Sequence, residues 1–164
     1  MALAKGGEFL ICDMGKMPFP DGSASLVVSH QSHEHCDGYR EGPAFLREAY
    51  RVLRTGGSLL VFVPDIEALA HRWLQYRDRV NREGSWGSEA KEGEINDYIY
   101  TTAMWGAFMG DEADRHRHGY TFDTLKRSLE SVAPWQLVER FDWREIWGMD
   151  AAKDWWVLAV NACK

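Results

Sequence analysis

Apolar and polar positions along this chain follow two distinct periods. Over residues 42–54, Leu46, Ala49, Tyr50 and Leu53 take the i, i+3, i+4, i+7 spacing of one helix face. Gly56-Gly57 is expected to stop that helix, with Arg51 and Arg54 in its last turn, where cations suit the helix dipole. Two short apolar runs flank it: Ser25–His30, and Leu59–Val63 ended by Pro64. Unbroken runs of this kind predict strands buried on both faces, and the strand–helix–strand order predicts a parallel sheet. A shorter strand is predicted at Glu8–Cys12, followed by a loop over 14–22 punctuated by Pro18, Pro20 and Gly22.

Farther along, Asp65 is a plausible N-cap for a helix over 65–80 that places Ile66, Leu69, Ala70, Trp73 and Val80 on one face. Residues 81–93 read as a surface loop, 94–109 as a helix and 111–119 as a charged connection. Thr121 is expected to cap a helix reaching about Val132, with Leu125 and Leu129 inward. Two late strands are predicted near 136–141 and 155–160. Adjacent Trp155 and Trp156 would then face opposite sides of the sheet. No repeat or linker interrupts the pattern, so it predicts one α/β domain.

Composition narrows the function classes. At 164 residues and 45% apolar, the chain can bury roughly 70% of its unfolded surface without disulfide staples. Nineteen Lys and Arg against 25 Asp and Glu give a net charge of −6, which argues against nucleic acid as a partner. No apolar run approaches the roughly 18 residues of a membrane span, and Met1–Gly7 lacks a signal-peptide core, so no membrane partner is expected. Cys12, Cys36 and Cys163 cannot all pair and show no metal spacing, which fits a cytoplasmic protein. Eight tryptophans point to an aromatic pocket or an interface.

Motifs sharpen the picture. The segment from Asp13 to Asp65 reads D-x-x-x-M-P-F-P-D-G-S-A-S-L-V-V-S-H, then Glu34-His35, then F-L-R-E-A-Y-R-V-L-R-T-G-G-S-L-L-V-F-V-P-D. It resembles the second half of a class I S-adenosylmethionine-dependent methyltransferase of the small-molecule type, with Thr55 where that family commonly has proline. The stretch H-R-H-G-Y-T-F-D-T-L-K-R-S-L-E is similar to the lead into the family's last helix and strands. The resemblance implies a truncated Rossmann-like fold of about five mostly parallel strands with helices on both faces. It implies a single domain over 1–164: the third-to-fifth strand region over 1–64, a lid-like helical insertion over 65–120, and a C-terminal helix with the last two strands over 121–164.

For the site, the resemblance implies that Asp13 accepts a hydrogen bond from the adenine amino group of S-adenosylmethionine, with Met14 beside the ring. It also implies that His30 and Gln31 line the cofactor pocket. By its own residue type, Asp13 reads equally as a turn-forming residue. His33 or His116 is the candidate to take a proton from the acceptor, histidine titrating near neutrality. Trp73, Trp86 and Trp105 fall in the lid-like stretch, or else serve as core or oligomer contacts.

One departure governs the functional expectation. The family's first strand ends in a Gly-rich loop, and an acidic residue after its second strand holds the ribose. Only twelve residues precede Asp13 here, and Gly6-Gly7 is no G-x-G-x-G, so the chain reads as starting at the third strand. Weak or absent cofactor binding and impaired methyl transfer to a small acceptor are therefore expected. The alternative is a non-catalytic self-associating or ligand-binding module, and a C2 homodimer is expected along the vacated edge of the sheet. His33, His35 and Asp37 also resemble the start of the H-x-H-x-D-H zinc motif of metallo-β-lactamase-like hydrolases. Gly38 replaces the last histidine, so no metal site is expected.

Overall fold

The computed structural model describes residues 10–83, 103–106, 115–142 and 156–164. Strands β1 (Ala24–His30), β2 (Leu53–Pro64), β3 (Leu137–Arg140) and β4 (Val157–Cys163) form one sheet in the order β1-β2-β4-β3. β1 and β2 are parallel, with Leu26 opposite Ser58 and His30 opposite Phe62. β4 runs antiparallel to both β2 and β3. Three strands therefore share a direction and β4 alone opposes it. This is the mostly parallel α/β sheet the sequence predicts, with four strands among the described residues.

Helices α1 (Glu41–Val52), α2 (Ile66–Glu83) and α3 (Phe122–Val132) join a 3-10 turn at His33–His35. α1 and α3 present Phe45, Leu46, Ala49, Leu125 and Leu129 to one sheet face, against Leu59, Val61, Val63, Leu158 and Val160. Each of these buried side chains larger than alanine contributes about 1.5–3 kcal/mol. Leu60, Phe62, Val157 and Ala159 form a second cluster on the other face. On that same face Leu26 and Val28 remain 50% and 39% exposed. Among the described residues β1 thus lies at the edge of the sheet, and its apolar run is covered on one face.

Several boundaries differ from the sequence pattern for local reasons. α1 ends at Val52, because Leu53 is already extended and β2 starts there. Gly56 and Gly57 do not stop the helix; they shape the start of β2. Gly56 holds a φ of +74°, and a Cβ on Gly57 would lie 2.9 Å from the Arg54 carbonyl and 3.1 Å from that of Ser25. The register skips there, Ala24 facing Leu53 and Leu26 facing Ser58. The end of α1 is closed instead by Lys164, whose Nζ donates to the Tyr50 and Leu53 carbonyls at 2.7 Å each.

Residues 10–12 take no strand pairing, and Ile11 is 88% exposed, so the predicted 8–12 strand does not form over its described part. Asp65 caps α2 as expected, its Oδ1 accepting from the Glu67 and Ala68 amides. α2 continues to Glu83, into the stretch read as loop. Thr121 and Thr124 form a reciprocal capping box at the start of α3. Trp156 lies in a turn before β4. Trp155, Trp86 and most of the 94–109 helix lie outside the described residues, as does much of the lid-like stretch.

The two motif blocks of the sequence meet in a strap. Arg51 on α1 forks onto Glu48, with Nε to Oε2 at 2.8 Å and Nη2 to Oε1 at 2.6 Å. It also donates to the Met17 carbonyl at 3.0 Å and to Asp21 at 2.5 Å. Glu48 Oε1 accepts the Met17 amide at 2.7 Å, and the Arg51 carbonyl accepts the Gly22 amide at 3.0 Å. The M-P-F-P-D-G loop is thereby tied along α1, which sets where β1 begins.

Candidate functional site

β1 and β2 end at the same edge of the sheet, where ligand crevices of open α/β folds lie. The loop after β1 there meets the segment before α3. The Ile66 amide donates to the Tyr120 carbonyl at 3.0 Å, while the Arg117 and His118 amides donate to the Glu34 carbonyl at 2.8 and 3.1 Å. Gly38 completes the junction, since a Cβ there would lie 2.4 Å from the His118 ring.

At the end of β1, Gln31 adopts a left-handed φ of 48°, unusual for a residue with a side chain. Its amide hydrogen bonds to the Phe62 carbonyl at 2.9 Å, but its side-chain nitrogen is buried with no hydrogen-bond partner. Strained backbone and unmet polar groups together mark a position shaped by something other than stability. His30 ends the strand exposed, its ring 5.4 Å from that of Phe62.

Two neighbours carry the same mark. His33 is fully buried, stacked 5.0 Å from Tyr120 and 5.4 Å from Phe45, with neither ring nitrogen partnered. Burial, and secondarily the charge of His118, lowers its pKa to about 4. Glu34 is 1% exposed, and both its carboxylate oxygens lack hydrogen-bond partners. Burial raises its pKa to about 7. Burial likewise raises the Cys36 thiol to about 11, with the charge of Glu41 adding to it.

His35 and His116 face each other across the junction. His35 Nδ1 donates to the Arg115 carbonyl at 3.2 Å, and His116 Nδ1 to the Ala103 carbonyl at 2.9 Å. Their rings meet edge-on at 4.8 Å. Asp37 serves elsewhere: its Oδ1 accepts the Tyr39 and Arg40 amides at 2.9 and 2.6 Å ahead of α1. Those amides, that of Arg40 foremost, hold its carboxyl below the usual range. The H-x-H-x-D residues therefore do not converge on one point. Glu34, His35 and His116 do.

Asp13 is exposed and accepts the Gly15 amide at 2.8 Å, an Asx turn. Met14 Sδ lies 3.9 Å from Cys36 Sγ, so the strap and the histidine loop touch. Asp13, Met14, His30, Gln31, His33 and His116 thus all sit at this end of the molecule. Sequence reasoning placed Glu34 in the loop after the strand and weighed His118 beside His116 as a base or substrate contact, but it passed over Tyr120. Glu34 was visible as the carboxylate between two histidines, but nothing local signals that it is buried. Tyr120 and His118 join the site only through tertiary contact.

Residues 2–61 match the family model described as a methyltransferase domain. No individual curated protein matches the chain in sequence. Among solved structures, the PH0226 protein of Pyrococcus horikoshii superposes with a TM-score of 0.54 at 14% identity, over 96% of this chain and 59% of its own. The protein described as a methyltransferase in complex with the Haloferax volcanii Trm112 activator gives 0.52 at 13%, over 94% and 60%. The Burkholderia thailandensis 1,6-didemethyltoxoflavin-N1-methyltransferase, solved with bound 1,6-didemethyltoxoflavin and S-adenosylhomocysteine, gives 0.50 at 12%, over 95% and 50%. The chain therefore spans between half and three fifths of the length of these proteins. Over residues 2–61 the chain is similar to the methyltransferase-domain family model, and in its fold it is similar to these solved structures.

Proposed function

We propose that this chain forms the adenine and acceptor side of an S-adenosylmethionine site and takes part in methyl transfer to a small acceptor. Gln31 carries the reading: a strained, half-buried residue with a buried, unmet side-chain nitrogen, at the carboxyl end of a parallel strand. Asp13 and Met14 would hold the adenine end, with His30 and Gln31 lining the pocket. The residues fit the cofactor on this side. No glycine loop or ribose-binding carboxylate is legible in these 164 residues, so weak binding is proposed for this chain taken alone.

S-adenosylmethionine supplies an electrophilic methyl group on a sulfonium sulfur. The chain's own part is to orient the acceptor and receive its proton. Of the two histidines proposed for that proton, His33 is sealed from solvent, which favours His116. Residues 65–120 are proposed as the acceptor-side lid, with Trp73 and Trp105 within it. The three free cysteines support a cytoplasmic setting. No helix among the described residues is long and apolar enough to cross a membrane.

Calorimetry with S-adenosylmethionine and its demethylated product tests the reading. Binding weaker than about 1 μM, near −8 kcal/mol, is expected, and Asp13→Ala should weaken it further. Sub-micromolar affinity would establish a complete site and remove the weak-binding half of the proposal. Complete absence of binding would favour the second reading, a self-associating module of methyltransferase descent. That second reading draws on the uncovered face of β1, where Leu26 and Val28 are exposed and a second copy could pair as a C2 dimer.

A further inference from the structure

Glu34, His35 and His116 each offer a ligand atom, and the three atoms lie within 4.8 Å of one another. Two histidines and a carboxylate are a sufficient donor set for a zinc-class divalent cation with one position left open. The surroundings suit this role. A carbonyl oxygen only accepts, so the bonds to the Arg115 and Ala103 carbonyls fix the proton of each imidazole on Nδ1 and the lone pair on Nε2. Backbone carbonyls in that position are the usual orienting partners of metal-bound histidines.

A second observation is independent of the histidines. Glu34 is 1% exposed, yet both its carboxylate oxygens lack a hydrogen-bond partner. A carboxylate shut away from water without partners is costly, and such groups in native proteins are almost always paired or ligating. The Glu34 backbone is also held in place, since its carbonyl accepts the Arg117 and His118 amides beside His116. Loop and connection are thus clamped together around the three donors.

We propose that Glu34, His35 and His116 form a binding site for a zinc-class divalent cation, linking the loop after β1 to the segment before α3. The proposal goes beyond the methyltransferase reading and does not require the cofactor. It replaces the sequence expectation of no metal with a different ligand set from the H-x-H-x-D residues. With the cation bound, His116 is a ligand and not a base. The open coordination position would then polarise an acceptor oxygen or nitrogen by charge.

The test uses the full chain with any affinity tag removed and stripped by chelator. Titration with zinc chloride should show one site per chain with a dissociation constant at or below about 1 μM. Cobalt chloride should give the visible absorption of a low-coordinate Co²⁺ site. Glu34→Gln and His35→Ala should each weaken zinc by at least about 10-fold, while His71→Ala on α2, outside the set, should not. Circular dichroism confirms that each variant is folded; His35, less buried than Glu34, keeps the test valid should Glu34→Gln misfold. Zinc binding weaker than about 100 μM, or binding untouched by Glu34→Gln and His35→Ala, would mean an adventitious ion only and would overturn the site. Failure of S-adenosylmethionine to bind would leave this result intact, so the two proposals fail separately.

Discussion

The strap over residues 17–22 and the histidine loop over residues 31–38 flank the same strand in sequence, and they treat polar groups in opposite ways. In the strap, Arg51 reaches two carboxylates and a carbonyl, and Glu48 takes both the guanidinium and the Met17 amide. Arg51 holds Glu48 below the usual carboxyl range, as expected for a paired acid. In the loop, Gln31, His33 and Glu34 bury polar atoms that meet no partner, and one of these residues is strained. The first region is built for stability. The second gives up stability at the end of the sheet where ligands bind, as active and binding sites commonly do.

The largest effect should come from breaking the strap. Arg51→Ala removes several charge-assisted hydrogen bonds and leaves the largely buried Glu48 without its cation. A loss of stability is expected, seen as a fall of more than about 2 °C in melting temperature for a domain of this size. A change under about 2 °C would show that the strap does not anchor β1.

The loop should answer in the opposite sense. Glu34→Gln keeps the shape of the side chain but removes the charge from a site with no partner. In chelated buffer its stability should stay within about 1 kcal/mol of the parent, or rise, because little is lost and a desolvation cost is removed. A loss as large as that of Arg51→Ala, measured by chemical denaturation, would mean that the carboxylate supports the fold. The comparison between the two regions would then collapse.

Sequence patterns carried the fold further than the site. The helix face of Leu46 and Ala49, the Asp65 and Thr121 caps and the parallel β1–β2 pair all follow from local spacing and capping chemistry, which the chain writes out within a few residues. Gly56-Gly57 was recognised, but its role was misread, because a helix stop and a strand bulge use the same residue for the same backbone freedom. β1 reads as buried on both faces because apolar content does not reveal whether a second layer covers the strand's other face. Within the site, Gln31 and the histidines were legible as loop residues after a strand. The burial of Glu34 was not, since it depends on the segment some eighty positions later that donates to its carbonyl.

The smallest effect on folding, and the one that isolates β1 itself, concerns Leu26. This strand joins the strap to the loop, yet its outward face contributes little to the core: Leu26 is half exposed, and Val28 beside it on that face is 39% exposed. β1 is also the terminal strand of the sheet, paired with β2 alone among the described residues. Leu26→Lys should therefore change the folding free energy by no more than about 0.5 kcal/mol, as for other exposed positions. If two copies associate through this edge, each would bring the new lysine into the symmetric contact, and a charge placed in an apolar interface opposes it twice. Light scattering of the parent chain at high micromolar concentration should give about twice the 18.8 kDa chain mass, and the variant a single chain. A parent that is monomeric throughout would remove the dimer and leave the exposed face of β1 as a property of this chain alone. A dimer unaffected by Leu26→Lys would move the interface to another surface, and the two segments flanking β1 would then have to be compared without any role for the strand's outward face.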